Sequence, residues 1–300
     1  MTSHITTDRP RSPGDNAAML GPALRRQRLG RQLRLRREAR SLRLQDVADH
    51  LGVAPSTLSR IESGKAPTRT SYLALMLDLY GIEDPTQRAN LTDLAREGQR
   101  KGWWNGYNDL LSAEECNYLG LESAAFRMRS FSLQAVPDLL QTREYATAAC
   151  RATRAGLRPG QTDRLVSAIQ RRQQALFDGL RCLHFVVDES VLLRAIGSRD
   201  LMASQMRHLL DLTTYGTVTI QVLALASPQV VLSAPFTLLG FGDSADPEVA
   251  FGGGVGGAAT MTKLTANVAA LEIAFTALTR AAMSPTDSVK LISQLTEVTA

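Results

Sequence analysis

Cysteine is scarce in this chain: Cys116, Cys150 and Cys182 are the only three in 300 residues, and no CxxC pair exists. Being few, odd in number and widely spaced, the cysteines support neither a disulfide framework nor a zinc finger. No apolar run reaches the roughly 18–20 residues needed to span a bilayer. There are only four histidines. His184 and His208 are far apart and lack metal-ligand spacing, so core or surface roles are expected and no metal is. The glycine-rich run from Val249 to Gly257 lacks the Lys-Ser/Thr ending of a phosphate-binding loop, so nucleotide binding of that kind has no support. It reads as a flexible hairpin or loop. Asp188 and Glu189 are adjacent carboxylates, but no His, Cys or Ser cluster accompanies them. No enzyme chemistry and no cofactor are therefore expected. Residues 1–22 are polar, lack the apolar core of a secretory signal and read as a disordered arm. A cytoplasmic protein, not a membrane one, is the expectation.

Basic charge is present, and it is unevenly placed. Residues 1–102 hold 18 Lys and Arg against 11 Asp and Glu, whereas residues 103–300 hold 16 against 18. The surface for an acidic partner thus belongs to the first third. The densest patch comprises Arg25, Arg26, Arg28, Arg31, Arg34, Arg36, Arg37, Arg40 and Arg43, opposed locally by Glu38 alone. Such a patch is either a solvated helix face or a set of phosphate contacts, and its neighbouring motif favours the second. An apolar fraction of 44% excludes wholesale disorder.

That motif is LRLQDVADHLGVAPSTLSRIESG, residues 42–64. Val47, Ala48 and Leu51 recur at helical spacing, and Gly52 supplies a helix stop. Val53 plugs the corner. Pro55 opens a second short helix with Leu58 and Ile61 as its buried stripe, and Gly64 ends it. Two short helices joined by a tight glycine turn are the sequence form of a helix-turn-helix. The small Ala48 permits a close helix crossing. Pro55, Ser56, Thr57, Ser59 and Arg60 lie off the buried stripe, on the face that such a helix presents to base edges in the major groove. Arg60 is the candidate for a bidentate guanine contact. Arg34, Arg43, Gln45, Lys65 and Arg69 are candidates for phosphate.

Beyond Gln99-Arg100-Lys101-Gly102 the texture changes. Residues 183–188, 217–223 and 236–241 are short β-branched or aromatic runs that predict strands. Helical spacing is read over 113–128, 143–154, 160–180, 200–214, 263–281 and 285–298. Thr142 and Ser284 are candidate N-caps. The predicted architecture is a mainly α helix-turn-helix bundle over 23–102, followed by an α+β domain over 103–300. Trp103 and Trp104 serve either a core at the domain junction or ligand stacking, with the core favoured. Val136–Thr142 (VPDLLQT) reads as an ordered loop entering a helix, with docking or ligand lining as the alternative to core packing.

The stretch from Leu35 to Gly81, with its VAxxLGV turn, its SxIExGKxP ending and the LxLxxxYG helix after it, resembles the Cro/repressor-type helix-turn-helix family. The resemblance implies a compact four- or five-helix bundle. It also implies a structural ion pair between Arg37 of the first helix and Glu62 of the IExG motif. Many members carry Gln at the first turn of the second helix, where it touches phosphate; here that position is Leu44, followed by Gln45. The runs IEDPTQRANLTDLAREGQRKGWWNGY, YLGLESAA, VPDLLQTREYA, FVVDESVLLRAIGS and TIQVLAL resemble the WhiJ-type actinomycete regulators. Those fuse such a domain to a larger C-terminal one.

Together the resemblances imply a nucleoid-associated transcriptional regulator that binds double-stranded DNA; a homodimer is expected because one short helix reads too few base pairs and a two-fold dimer reads paired half-sites. The resemblances also imply control through the C-terminal domain by a ligand or a small protein encoded nearby. An antitoxin-like protein that mainly binds such a partner, and regulates its own expression, is the alternative.

Overall fold

In a computed structural model of the protein, the residues described are 21–154, 156–177, 182–227, 234–242, 246–252, 260–262 and 265–299. The arm expected over 1–22 lies outside them except for Gly21 and Pro22, and Pro22 already begins the first helix. The chain forms two compact units, Met1–Arg100 and Lys101–Ala300.

The first unit is a bundle of five helices: α1 (Pro22–Ala39), α2 (Leu44–Leu51), α3 (Pro55–Glu62), α4 (Thr70–Leu79) and α5 (Pro85–Gly98). Proline stands at the start of α1, α3 and α5, where its missing N–H costs nothing. Asp84 caps α5 by accepting from the N–H groups of Thr86 and Gln87. Gly52 ends α2 at φ +64°, a left-handed conformation that a side chain would strain. The amide of Val53 then donates back to the Ala48 carbonyl at 3.0 Å, closing the turn. Leu33, Val47, Ala48, Leu58, Leu73 and Met76 meet in one buried core, each of the larger ones worth about 1.5–3 kcal/mol relative to exposure. Gly30 of α1 sits where a Cβ would lie 2.4 Å from the Ile61 carbonyl oxygen. The first helix therefore packs directly on the backbone at the end of α3.

The second unit is α+β. A six-stranded mixed sheet has the order β3-β2-β1-β4-β5-β6, with β1 (Arg127–Ser132), β2 (Cys182–Asp188), β3 (Val218–Leu223), β4 (Phe236–Gly240), β5 (Val249–Gly252) and β6 (Thr260–Thr262). Strands β1, β2 and β3 are parallel, and β4, β5 and β6 continue from β1 in antiparallel steps. The helices are α6 (Ala113–Glu122), α7 (Arg143–Thr153), α8 (Gln161–Phe177), α9 (Glu189–Leu193), α10 (Arg199–Thr213), α11 (Thr265–Ala281) and α12 (Pro285–Thr299). Ser112, Thr142 and Ser198 cap α6, α7 and α10 through their side chains, and Ser284 accepts from the Asp287 amide at the start of α12. At the edge strand β3, the Val222 amide donates to the buried Ser288 hydroxyl at 2.9 Å. An unpaired edge group is thereby covered.

Two expectations are corrected. The helix read over 113–128 ends at Glu122, and Met128 lies in β1, a strand that the sequence reading missed although it is central in the sheet. Arg127 and Arg129 hide its alternation, because charged residues rarely occupy a central strand without partners. Here Glu248 pairs with both arginines and Glu272 with Arg129. Both carboxylates are more than a hundred residues away along the chain. The segment read as a loop from 249 begins as strand β5, since Val249, Ala250 and Phe251 are buried between β4 and β6. The glycines at 253, 254, 256 and 257 lie outside the described residues.

Candidate nucleic-acid interface

Helix α3 buries Leu58, Ile61 and Glu62 and leaves the rest of its surface outward. Ser56, Ser59 and Arg60 are exposed, while Pro55 and Thr57 are half-buried. Ser56, Ser59 and Arg60, with the half-buried Pro55 and Thr57 beside them, thus form the outward strip of α3, and Arg60 is its single cation. No ion pair to Arg60 or Lys65 is formed among the described residues. The Lys65 amide donates to the Arg60 carbonyl at 2.8 Å, so the loop after α3 folds back onto the helix end and holds Lys65 beside it. A little further on, the Arg69 guanidinium lies over the Tyr72 ring, 5.6 Å from its centre.

The other phosphate candidates are already engaged. Arg34 donates to Glu38 at 2.7 Å. Arg43 donates to both oxygens of Asp46, at 3.1 and 2.8 Å, and this bonding holds the exposed Asp46 carboxyl below its ordinary pKa. Gln45 donates to Asp49 at 2.8 Å. Leu44, the residue that the family resemblance sets at a phosphate-contacting position, packs against the core.

Arg37 and Glu62 meet in the interior. The guanidinium donates through Nε to Oε1 at 2.7 Å and through Nη2 to Oε2 at 2.9 Å. Its remaining nitrogen donates to the Leu42 carbonyl at 2.9 Å. Hydrogen bonding to Glu62 raises the Arg37 pKa above its ordinary value, outweighing the opposing effect of burial. The hydroxyl of Tyr80 is buried with no hydrogen-bond partner among the described residues, and burial followed by the Glu62 charge pushes its pKa up.

The arginine-rich patch is therefore not one phosphate-binding face. Arg26 donates to the Gly98 carbonyl at 3.0 Å, Arg25 lies 3.8 Å from Glu97, and Arg37 is buried. Several arginines that look unopposed along the sequence are matched by carboxylates and carbonyls from α3 and α5.

The remaining sequence candidates are occupied too. Asp188 caps α9 by accepting from the Ser190 amide at 3.0 Å, and Glu189 accepts from the Leu225 amide at 2.8 Å. Trp104 is buried, and Trp103 carries the Arg171 guanidinium 5.3 Å from its ring centre. In the 136–142 loop, Gln141 donates to the Val136 carbonyl at 2.7 Å, and the Val136 amide donates to the Tyr145 hydroxyl at 3.2 Å. Sequence reasoning missed the buried cluster of Glu122, Arg172 and Asp138. No local pattern announces it, because its three members come from different elements.

This geometry defines the class: a helix-turn-helix protein of the DNA-binding, transcription-regulating kind. A helix-turn-helix family profile matches residues 28–91. A second profile, a domain of unknown function (DUF5753), matches residues 116–294, the larger part of the chain. The chain belongs to the DUF5753 family. No curated protein and no solved structure matches it. Among the described residues no helix is long and apolar enough to cross a membrane.

Proposed function

We propose that this protein is a sequence-specific transcriptional regulator of the Cro/repressor type, with a C-terminal domain akin to that of the WhiJ-type regulators. It acts at the nucleoid, in the cytoplasm, and by binding, not catalysis. The observation that carries the reading is the outward polar strip of α3, braced from behind by Arg37 and followed at once by Lys65. Pro55, Ser56, Thr57, Ser59 and Arg60 read base edges, and Lys65 and Arg69 hold phosphate. Arg34, Arg43 and Gln45 reach phosphate only by releasing their present carboxylate partners. One eight-residue helix reads too few base pairs for a unique site. A homodimer on half-sites about one helical turn apart meets that need. Control is exerted through the second unit.

The test is a gel shift of the full-length protein on DNA from its own gene neighbourhood, titrated with salt. Specific binding weakens steeply as salt rises. Arg60→Ala loses about 1–3 kcal/mol and relaxes preference at one base position, whereas Lys65→Ala weakens all sequences alike. Unchanged affinity and preference in Arg60→Ala overturn the assignment of the reading helix. Recovery of a small protein with the full chain, in place of DNA binding, favours the antitoxin-like alternative.

A further inference from the structure

The second unit holds a partly open cavity of about 710 Å³, within the range of about 300–1,000 Å³ common for small-molecule sites. It lies between one face of the sheet and helices α6, α7 and α8. Two features of the sequence create it. The run YATAACRAT in α7 places Ala146, Ala149 and Ala152 on the cavity side with no bulk beyond Cβ. The sheet floor holds Ser130 of β1 directly across from Thr237 of β4, where a buried sheet normally carries Leu, Ile or Val. Two surfaces of small residues face each other, so the space between them stays unfilled. A tightly packed interior rarely tolerates voids much larger than a water molecule.

The chemistry of the walls narrows the occupant. Every nitrogen of the buried Arg172 guanidinium already donates to a carboxylate, to Glu122 at 3.0 and 2.8 Å and to Asp138 at 2.9 Å. Arg154 is likewise held by Glu115 at 2.8 Å. Both charges are already matched by carboxylates, so neither offers a phosphate an unbalanced cation. The floor hydroxyls of Ser130 and Thr237 lie 2.9 Å apart and share one hydrogen bond, and Ser130 Oγ also lies 3.5 Å from the Phe236 carbonyl, to which it can donate, so the floor offers acceptor lone pairs more readily than protons. The rest of the lining is dominated by groups such as Leu119, Met128, Phe185, Ile169 and Phe251. Arg194 stands exposed at the rim.

We infer that this cavity is the effector site of the protein, and that its ligand is a largely apolar small molecule with one hydroxyl end that donates to the floor, not a nucleotide or sugar phosphate. What the ligand does rests on the regulatory reading above; that it binds does not.

The test uses the full chain and the neutral fluorophore N-phenyl-1-naphthylamine. Saturable binding of one molecule per chain is expected, with no displacement by millimolar ATP. Ala149→Phe fills the cavity and Ala152→Phe blocks its exposed rim; each weakens binding at least tenfold. Ile273→Ser removes the most exposed large apolar side chain on α11, 72% exposed, and leaves binding unchanged. Should Ala149→Phe fail to fold, the surface variant Ala152→Phe decides. Absence of saturable binding, equal binding in the folded Phe variants, loss in Ile273→Ser, or displacement by ATP each overturns the inference. A gel shift on the same samples separates the two readings. Fluorophore binding without DNA binding sinks the regulator, and DNA binding without fluorophore binding sinks the site.

Discussion

Arg37 of α1 and Glu62 of α3 form a two-pronged ion pair, 2.7 and 2.9 Å on its two arms, that ties the first helix to the end of α3. Their side chains are only 10% and 4% exposed. The pair's worth lies in what its loss would leave behind. Arg37→Met strands a buried carboxylate and costs about 3–5 kcal/mol, whereas Arg37→Met with Glu62→Leu recovers most of that. Urea unfolding of the two variants measures the difference. A double variant as unstable as the single one refutes this account.

Gly30 offers a second check on how α1 meets α3. Replacing a helical glycine by alanine ordinarily stabilises by about 1 kcal/mol. Here the new methyl would meet the carbonyl oxygens of Ile61 and Glu62 at 2.4 and 2.6 Å. Backbone cannot swing aside as a flexible side chain can, so overpacking wins. Gly30→Ala is expected to destabilise by roughly 1–3 kcal/mol net and to weaken DNA binding by displacing α3. A rise in the unfolding midpoint would show that α1 does not pack this closely.

His184 gives a pH dependence with a definite sign. Its Nε2 lies 2.8 Å from the Gln221 side-chain oxygen, and its ring stands edge-on to Phe275 at 5.1 Å. Burial outweighs the opposing hydrogen bond to Gln221 and, with a smaller push from Arg129, lowers its pKa below 6.5. The unfolded chain then accepts a proton that the folded one refuses, so stability is lost as pH falls below about 6.5. Burial lowers His208 in the same direction. Melting temperature should fall between pH 7 and 5, and His184→Gln should flatten part of that slope. An equally steep slope in the variant would mean that the ring is protonated in the folded state.

The helix-turn-helix was legible because its determinants are local. A glycine stop, a proline start and two buried stripes all fall within 23 residues, from Leu42 to Gly64. The same locality made the outward face of α3 readable. What escaped was whatever depends on residues distant along the chain. Strand β1 looks helical or irregular until Glu248 and Glu272 neutralise its arginines, and the arginine patch looks free until Glu62 and Glu97 arrive beside it.

The sequence by itself determined that α3 exists, where it starts and stops, and which of its residues face outward, because helical period and turn chemistry act over a few residues. Only the tertiary structure decided which charges remain for DNA. It consumed Arg37 in a brace, satisfied Arg34 and Arg43 with carboxylates, and left Arg60 and Lys65 without ion pairs among the described residues. It alone also opened the cavity, since an alanine stripe and a Ser–Thr pair become a space only when folding sets them face to face.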